Sequence, residues 1–319
     1  HSFAYYLDGN TGEPIAKTVG RCNHESSCGY HYTPKQFFID NPVEKERFVT
    51  PVRQKTIQKP QQEVGYIPFQ YVEKAVSYNS SFIRFLCGLF DRYTLESPTI
   101  ERLMNDYALG ATKDGCIIYW QIDINGKART GKIMRYNPET GHRVKDAGGI
   151  NWVHSILKKK KLLPDNFNLV QCLFGEQLLK MYPKKPVALV ESEKSALIAS
   201  GVYPEYIWLA TGGKSQLSIE KMKVLHGRTV LAFPDVDGFD YWKDKAKELE
   251  SIGCNVLVSD ILEKNATDQD RTNKIDLADW LIRDLMTDCR PAPNTLDTLL
   301  GINPVLKSLI ETFDLKLIA

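Results

Sequence analysis

The chain has 319 residues, of which 43% are hydrophobic and 25% charged, with a formal net charge of +2 at pH 7. That is room for two domains and an accessory module of ordinary globular composition, and no apolar run reaches membrane-spanning length. No secretory signal is visible, and the seven cysteines, odd in number and mostly within apolar segments (Cys87, Cys116, Cys172, Cys254), read as reduced thiols, so a cytoplasmic protein without a membrane partner is expected.

The chain begins with His1 rather than Met, and an upstream piece is expected. Residues 1–40 read as a small separate module. Phe3 to Ile15 alternates like a hairpin turning at Asp8-Gly-Asn-Thr-Gly12, and Cys22, His24, Cys28 and His31 follow as the densest soft-ligand cluster in the chain. Residues 41–66 carry Pro, Lys, Gln and Glu with almost no apolar periodicity and read as a linker.

Residues 67–184 read as an α+β segment. Phe82, Phe85, Leu86, Leu89 and Phe90 predict one amphipathic helix, and Ser97-Pro98 opens a second with Ile100, Leu103 and Met104. A strand from Gly115, an Asn125-Gly126 turn and a basic strand carrying Arg129, Lys132 and Arg135 come next. Lys158 to Lys161 form a basic run, ordinarily a solvated helix end. Residues 110–185 hold 14 Lys and Arg against 6 Asp and Glu, whereas residues 186–285 hold 12 against 17. A basic neighbour beside an acidic rim suits a polyanion substrate held at a cation.

Residues 185–285 carry four short apolar runs, Val187–Val190, Tyr206–Ala210, Thr229–Phe233 and Asn255–Val258, separated by helical lengths. Such runs predict a parallel sheet buried on both faces. Right-handed crossovers put every strand's carboxyl end on one rim. Glu191 after the first run and Asp235 and Asp237 after the third therefore share that rim. Converging carboxylates repel one another unless a hard divalent cation lies between them, and Mg²⁺ or Mn²⁺ suits such an oxygen-rich site. The bland alternative is a doubly wound domain whose rim acids are solvated or cap helices. Residues 286–319 return to helical apolar spacing at Leu296, Leu299, Leu300, Val305, Leu306, Leu309 and Ile310.

A glutamate after the first strand and an Asp-x-Asp after the third resemble the toprim domain of primases, topoisomerases and some nucleases. Lys274-Ile-Asp276-Leu-Ala-Asp279 resembles the acidic stretch after the sheet in primase-type members, and Gly212-Gly213 sits where primases have a glycine-bearing turn. The sequence departs from the family at Ser192 and Ser195, where primases have a glycine and a second acid. The helical pair, strand, turn and basic strand resemble the smaller subdomain of the bacterial primase core, and Cys172 to Leu179 its helical lead-in. The hairpin and cysteine knuckle resemble half of a zinc ribbon. Zinc takes four ligands, so the resemblance implies Cys22 and Cys28 plus a pair upstream of His1, with His24 or His31 as substitutes.

The fold thus expected is α/β, a parallel-sheet toprim domain preceded by an α+β primase-like subdomain and a partial zinc ribbon. The resemblance implies a primase-like nucleotidyltransferase of bacterial or mobile-element type, making primers on single-stranded DNA from nucleoside triphosphates. Glu191, Asp235 and Asp237 would be catalytic metal ligands, with Asp276 and Asp279 as outer acids. Arg129, Lys132, Arg135, Lys194 and Lys214 would neutralise phosphates. No Gly-x-x-x-x-Gly-Lys-Ser/Thr pattern occurs, so unwinding would need a helicase or mobilisation partner. Two alternatives use the same residues: a non-catalytic nucleic-acid-binding module, and a toprim nuclease.

Overall fold

A computed structural model describes residues 3–9, 11–23, 28–45, 63–92, 99–144 and 149–287. The chain divides into two compact units, His1–Gln62 and Glu63–Ala319. The expected helical spacing between Leu296 and Ile310 lies outside the described residues. No helix among the described residues is long and apolar enough to cross a membrane.

In the first unit, strands β1 (Phe3–Tyr5), β2 (Gly20–Cys22) and β3 (His31–Tyr32) form an antiparallel sheet in that order. The expected turn is present, since the Asp8 amide donates to the Glu13 carbonyl and the Gly12 amide to the Asp8 carbonyl. The partner of β1 is nevertheless β2, with Phe3 opposite Cys22 and Tyr5 opposite Gly20. Two helices follow, α1 (Pro34–Asp40), capped by the Thr33 hydroxyl, and α2 (Pro42–Lys45), which begins inside the expected linker. Val19 is the one fully buried apolar side chain among this unit's described residues. A core that small does not hold a fold by burial alone, and a staple such as a structural metal is the usual remedy.

The second unit begins before residue 67, because the Gly65 amide donates to the Asn168 carbonyl and the Tyr66 ring lies under Lys127 and Arg129. Helices α3 (Gln70–Ala75), α4 (Ser81–Arg92) and α5 (Thr99–Tyr107) lead into an antiparallel sheet of β4 (Gly110–Ala111), β5 (Ile117–Ile122), β6 (Ala128–Met134) and β7 (Asn151–Trp152). Every residue of β5 is buried because both faces are covered. Ile117 and Tyr119 join the core with α4 and α5, while Ile118, Trp120 and Ile122 pack with Ile67, Val72, Val153, Leu157 and Phe167. Helix α6 (Val153–Lys159) lies on that second side and ends in the basic run.

The lead-in places Phe174 in an antiparallel bridge to Ala210 and continues into the short helix α7 (Leu178–Met181). The parallel sheet follows, with β8 (Val187–Val190), β9 (Ile207–Ala210), β10 (Thr229–Phe233) and β11 (Asn255–Val258) in the order β11-β10-β8-β9. Crossovers use α8 (Glu193–Val202), the short α9 (Ile219–Met222) and α10 (Phe239–Glu250). After β11 come α11 (Ile261–Asn265), α12 (Asp268–Asn273) and α13 (Leu277–Thr287). One hydrophobic core runs from Phe82 through both sheets to Leu281. The sequence-derived boundary at residues 184 and 185 is therefore not a break in packing. Tyr107 stacks on Phe174 at 5.0 Å and donates to the Trp208 carbonyl at 2.9 Å, fastening α5 to β9.

Candidate metal-binding rim

Strand order reverses between β8 and β10, since β9 lies on one side of β8 and β10 on the other. In open parallel sheets that crevice, at the carboxyl ends, is where ligands bind. Val190 of β8 is in register with Phe233 of β10, so Glu191 and the Pro234–Gly238 turn leave the sheet side by side. The Asp235 amide lies 3.4 Å from Glu191 Oε1. A Cβ on Gly238 would stand 2.6 Å from the same oxygen, so the missing side chain is what gives the Glu191 carboxylate its place.

Glu191 is buried, and burial, then repulsion from Asp237 and Asp276, pushes its carboxyl well above the usual range. Burial pushes Asp235 up as well, reinforced by repulsion from Glu191, Asp276 and Asp237. Among the described residues neither acid has a lysine or arginine at ion-pair distance. The other rim acids do. Asp237 is approached by Lys214 at 3.8 Å and Lys274 at 3.2 Å, and Lys214 also donates to the Asp237 carbonyl. Lys194 lies 3.0 Å from Asp276 and 2.8 Å from Asp279.

Among the described residues no three His, Cys, Asp or Glu side chains are grouped to hold a metal ion. Mg²⁺ needs fewer than that, because it is held by one or two carboxylates and completes its shell with water and substrate phosphate. The Glu191–Asp235 pair fits such an ion: two oxygen donors in one crevice, both held towards their protonated forms chiefly by burial. Asp276 and Asp279 do not fit, since their oxygens are already engaged.

The basic residues expected to meet phosphates divide sharply. Arg129 is turned inward, with Nε 2.9 Å from Asp123, Nη1 3.3 Å from the Val170 carbonyl and its guanidinium over Tyr66. Lys132 is buried against Glu193, with Nζ 2.9 Å and 3.2 Å from the two carboxylate oxygens and 3.5 Å from the Gly212 carbonyl. Lys194 is spent on Asp276 and Asp279. In this structure the charges of all three are met by carboxylates, those of Arg129 and Lys132 from β6 and that of Lys194 from the first turn of α8. Lys214 and Arg135 remain half-exposed at 40% and 47%, the latter paired with Asp114. Glu193, Gly238 and Lys274 were missed by the sequence reading. A glycine directly after Asp-x-Asp was the one available signal, whereas the ion pairs had none.

Ser192 and Ser195, the two residues at which the sequence departs from the resemblance, have a structural use. Ser192 caps α8 by accepting from the Ser195 amide, and the two hydroxyls lie 2.8 Å apart.

In the first unit Cys22 ends β2 half-buried and Cys28 is exposed, and thiolates are the donors zinc prefers. His24 lies outside the described residues, and His31 Nε2 is 2.8 Å from the Tyr6 hydroxyl.

Two family models match the chain, a zinc beta-ribbon finger over residues 1–43 and a domain of unknown function, DUF6371, over residues 80–236. The first supports Zn²⁺ as the small unit's cofactor. No curated protein matches. Similar solved structures include the primase fragment of the bacteriophage T7 primase-helicase, at 13% identity and TM-score 0.35, covering 86% of this chain and 100% of that one. The zinc-binding and RNA polymerase domains of Aquifex aeolicus primase are 12% identical, with TM-score 0.37 and coverage of 86% and 72%. The DnaG primase catalytic domain bound to single-stranded DNA is 10% identical, with TM-score 0.37 and coverage of 68% and 80%.

Proposed function

We propose that this chain is a primase-like nucleotidyltransferase that joins nucleotides on a single-stranded template at the β8–β10 rim. The observation that carries the reading is the contact of Glu191 with the Asp235 turn at the adjoining carboxyl ends of two parallel strands. Holding two desolvated acids side by side without a cation is costly, and such a pair suits a bound positive charge. A divalent ion bound at the pair would supply charge stabilisation for a triphosphate and acidify an attacking hydroxyl.

The chain's own groups do the rest. Glu191 and Asp235 present oxygens from fixed backbone positions, with Gly238 leaving room for the first. Lys214, half-exposed beside Asp237, is the cation best placed to meet phosphate oxygens. Lys132 and Lys221 hold the Thr211–Gly213 loop by its carbonyls, at 3.5 Å from Gly212 and 3.1 Å from Thr211. That loop flanks the crevice and would shape the space for a nucleotide. Zinc on Cys22 and Cys28 would stabilise the small unit as a template-binding module.

A second reading, a nucleic-acid-binding module without chemistry, is favoured by the engagement of Asp276 and Asp279 with Lys194. One experiment separates the two: the purified chain with single-stranded DNA, Mg²⁺ and labelled nucleoside triphosphates. Extension products are expected and should vanish in Asp235→Asn. Retained DNA binding without products would favour the module, and shortened DNA a nuclease.

A further inference from the structure

We infer that Lys194 is a resident cation that takes the place of an outer metal ion, so that the rim binds a single divalent cation, at Glu191 and Asp235. This rests on the metal-binding reading of the rim given above. Asp276 and Asp279 form a reciprocal cap at the start of α13. The Asp279 amide donates to Asp276 Oδ1 at 2.8 Å, and the Asp276 amide to Asp279 Oδ2 at 3.3 Å. The remaining oxygens, Asp276 Oδ2 and Asp279 Oδ1, are the two that Lys194 Nζ reaches, at 3.0 Å and 2.8 Å. All four carboxylate oxygens are therefore engaged, two by backbone and two by one ammonium.

The position of Lys194 argues for purpose rather than accident. It lies in the first turn of α8, after the Ser192 cap, where the helix dipole disfavours a cation. Its side chain is only 11% exposed. Burial alone would lower its pKa, yet attraction to Asp276 and Asp279 outweighs burial and raises it. Burial, with repulsion from Asp279, holds the Asp276 carboxyl above its usual range, and Lys194 opposes that rise. An ammonium at 3.0 Å and an amide donor on its other oxygen serve its charged form. An exchangeable ion at this place would compete with a tethered one whose effective concentration is set by the fold. Site charge is thus partly built in, and the rim needs one exchangeable ion.

The test counts ions on the full chain by titrating Mn²⁺ and following the electron paramagnetic resonance of the free ion. One Mn²⁺ per wild-type chain is expected, abolished by Glu191→Gln. Lys194→Met keeps the aliphatic stem and removes the charge, and should gain a second Mn²⁺ at the Asp276/Asp279 cap. Asp279→Asn should leave the wild-type count at one, which keeps the idea testable if Lys194→Met does not fold. Two ions on the wild type, or a count that drops in Asp279→Asn, would overturn the inference while leaving the metal-binding rim intact. No Mn²⁺ on any variant would instead overturn the rim reading itself.

Discussion

Gly238 has no side chain and no unusual backbone, since its φ of −105° is open to any residue. What it provides is space. A methyl group there would meet Glu191 Oε1, the far end of a flexible side chain, at 2.6 Å, with the Asp235 carbonyl at 3.1 Å and Pro234 Cβ at 3.2 Å needing only a slight shift. Gly238→Ala should therefore fold with little loss of stability but displace the Glu191 carboxylate, weakening Mn²⁺ binding about tenfold or more, since the geometry of ligands decides such sites. Unchanged Mn²⁺ affinity with an unchanged melting temperature would show that Glu191 is not positioned by this glycine. Asp235 supplies the pH dependence. Its carboxyl and that of Glu191 are held above their unfolded values, so the folded protein binds protons that the unfolded chain has released. Metal-free stability is then highest below the ordinary carboxylate range and is lost as pH rises through the raised values. Melting temperature without metal should fall between about pH 5 and about pH 8, less steeply in Asp235→Asn, and added Mg²⁺ should restore it most at the upper end. A profile that rises over this interval in metal-free wild type would contradict the assignment.

At the scale of elements, the buried Lys132–Glu193 pair joins β6 to the first turn of α8, so the antiparallel sheet and the rim are held in one arrangement. Removing one partner leaves the other charge buried. Lys132→Met should destabilise by about 3–5 kcal/mol, whereas the pairwise replacement Lys132→Met with Glu193→Leu should recover most of that loss. Denaturant melts of the two variants decide the matter; equal stabilities would mean the pair carries no such load. Gly201 of α8 lies against the Phe90 ring of α4. A Cβ at Gly201 would fall 2.2 Å from the Phe90 ring, which no small adjustment relieves. Gly201→Ala should cost ~1–3 kcal/mol and distort the packing behind β8.

At the scale of the whole molecule, the two units depend on different forces. The large unit has a core running from Phe82 to Leu281 and a second cluster around Trp120, while the small unit's described residues bury little more than Val19. A strong zinc chelator should therefore unfold the small unit alone, leaving the cooperative melt of the large unit within about 2 °C of its starting value. A single melt that shifts as a whole on chelation would mean that the small unit is not independently stapled.

The sequence alone determined the parallel sheet, with Thr229–Phe233 and Asn255–Val258 read to the residue, because uninterrupted apolar runs have few other homes. It also placed Glu191, Asp235 and Asp237 on one rim, since crossover handedness fixes where strand ends lie, and of the two aspartates it is the Asp235 amide that lies against Glu191. What it could not supply is the partner of each charge. Arg129, Lys132 and Lys194 look alike in sequence to Lys214, yet three turned inward to carboxylates and one stayed at the surface. Lys194 finds Asp276 and Asp279 only because α13 is brought against α8, and Gly238 matters only because Glu191 stands beside it. Hydrophobic periodicity is a local property and survives in one dimension. Ion pairing depends on distances of a few ångströms between residues far apart in the chain, and only tertiary packing decides them.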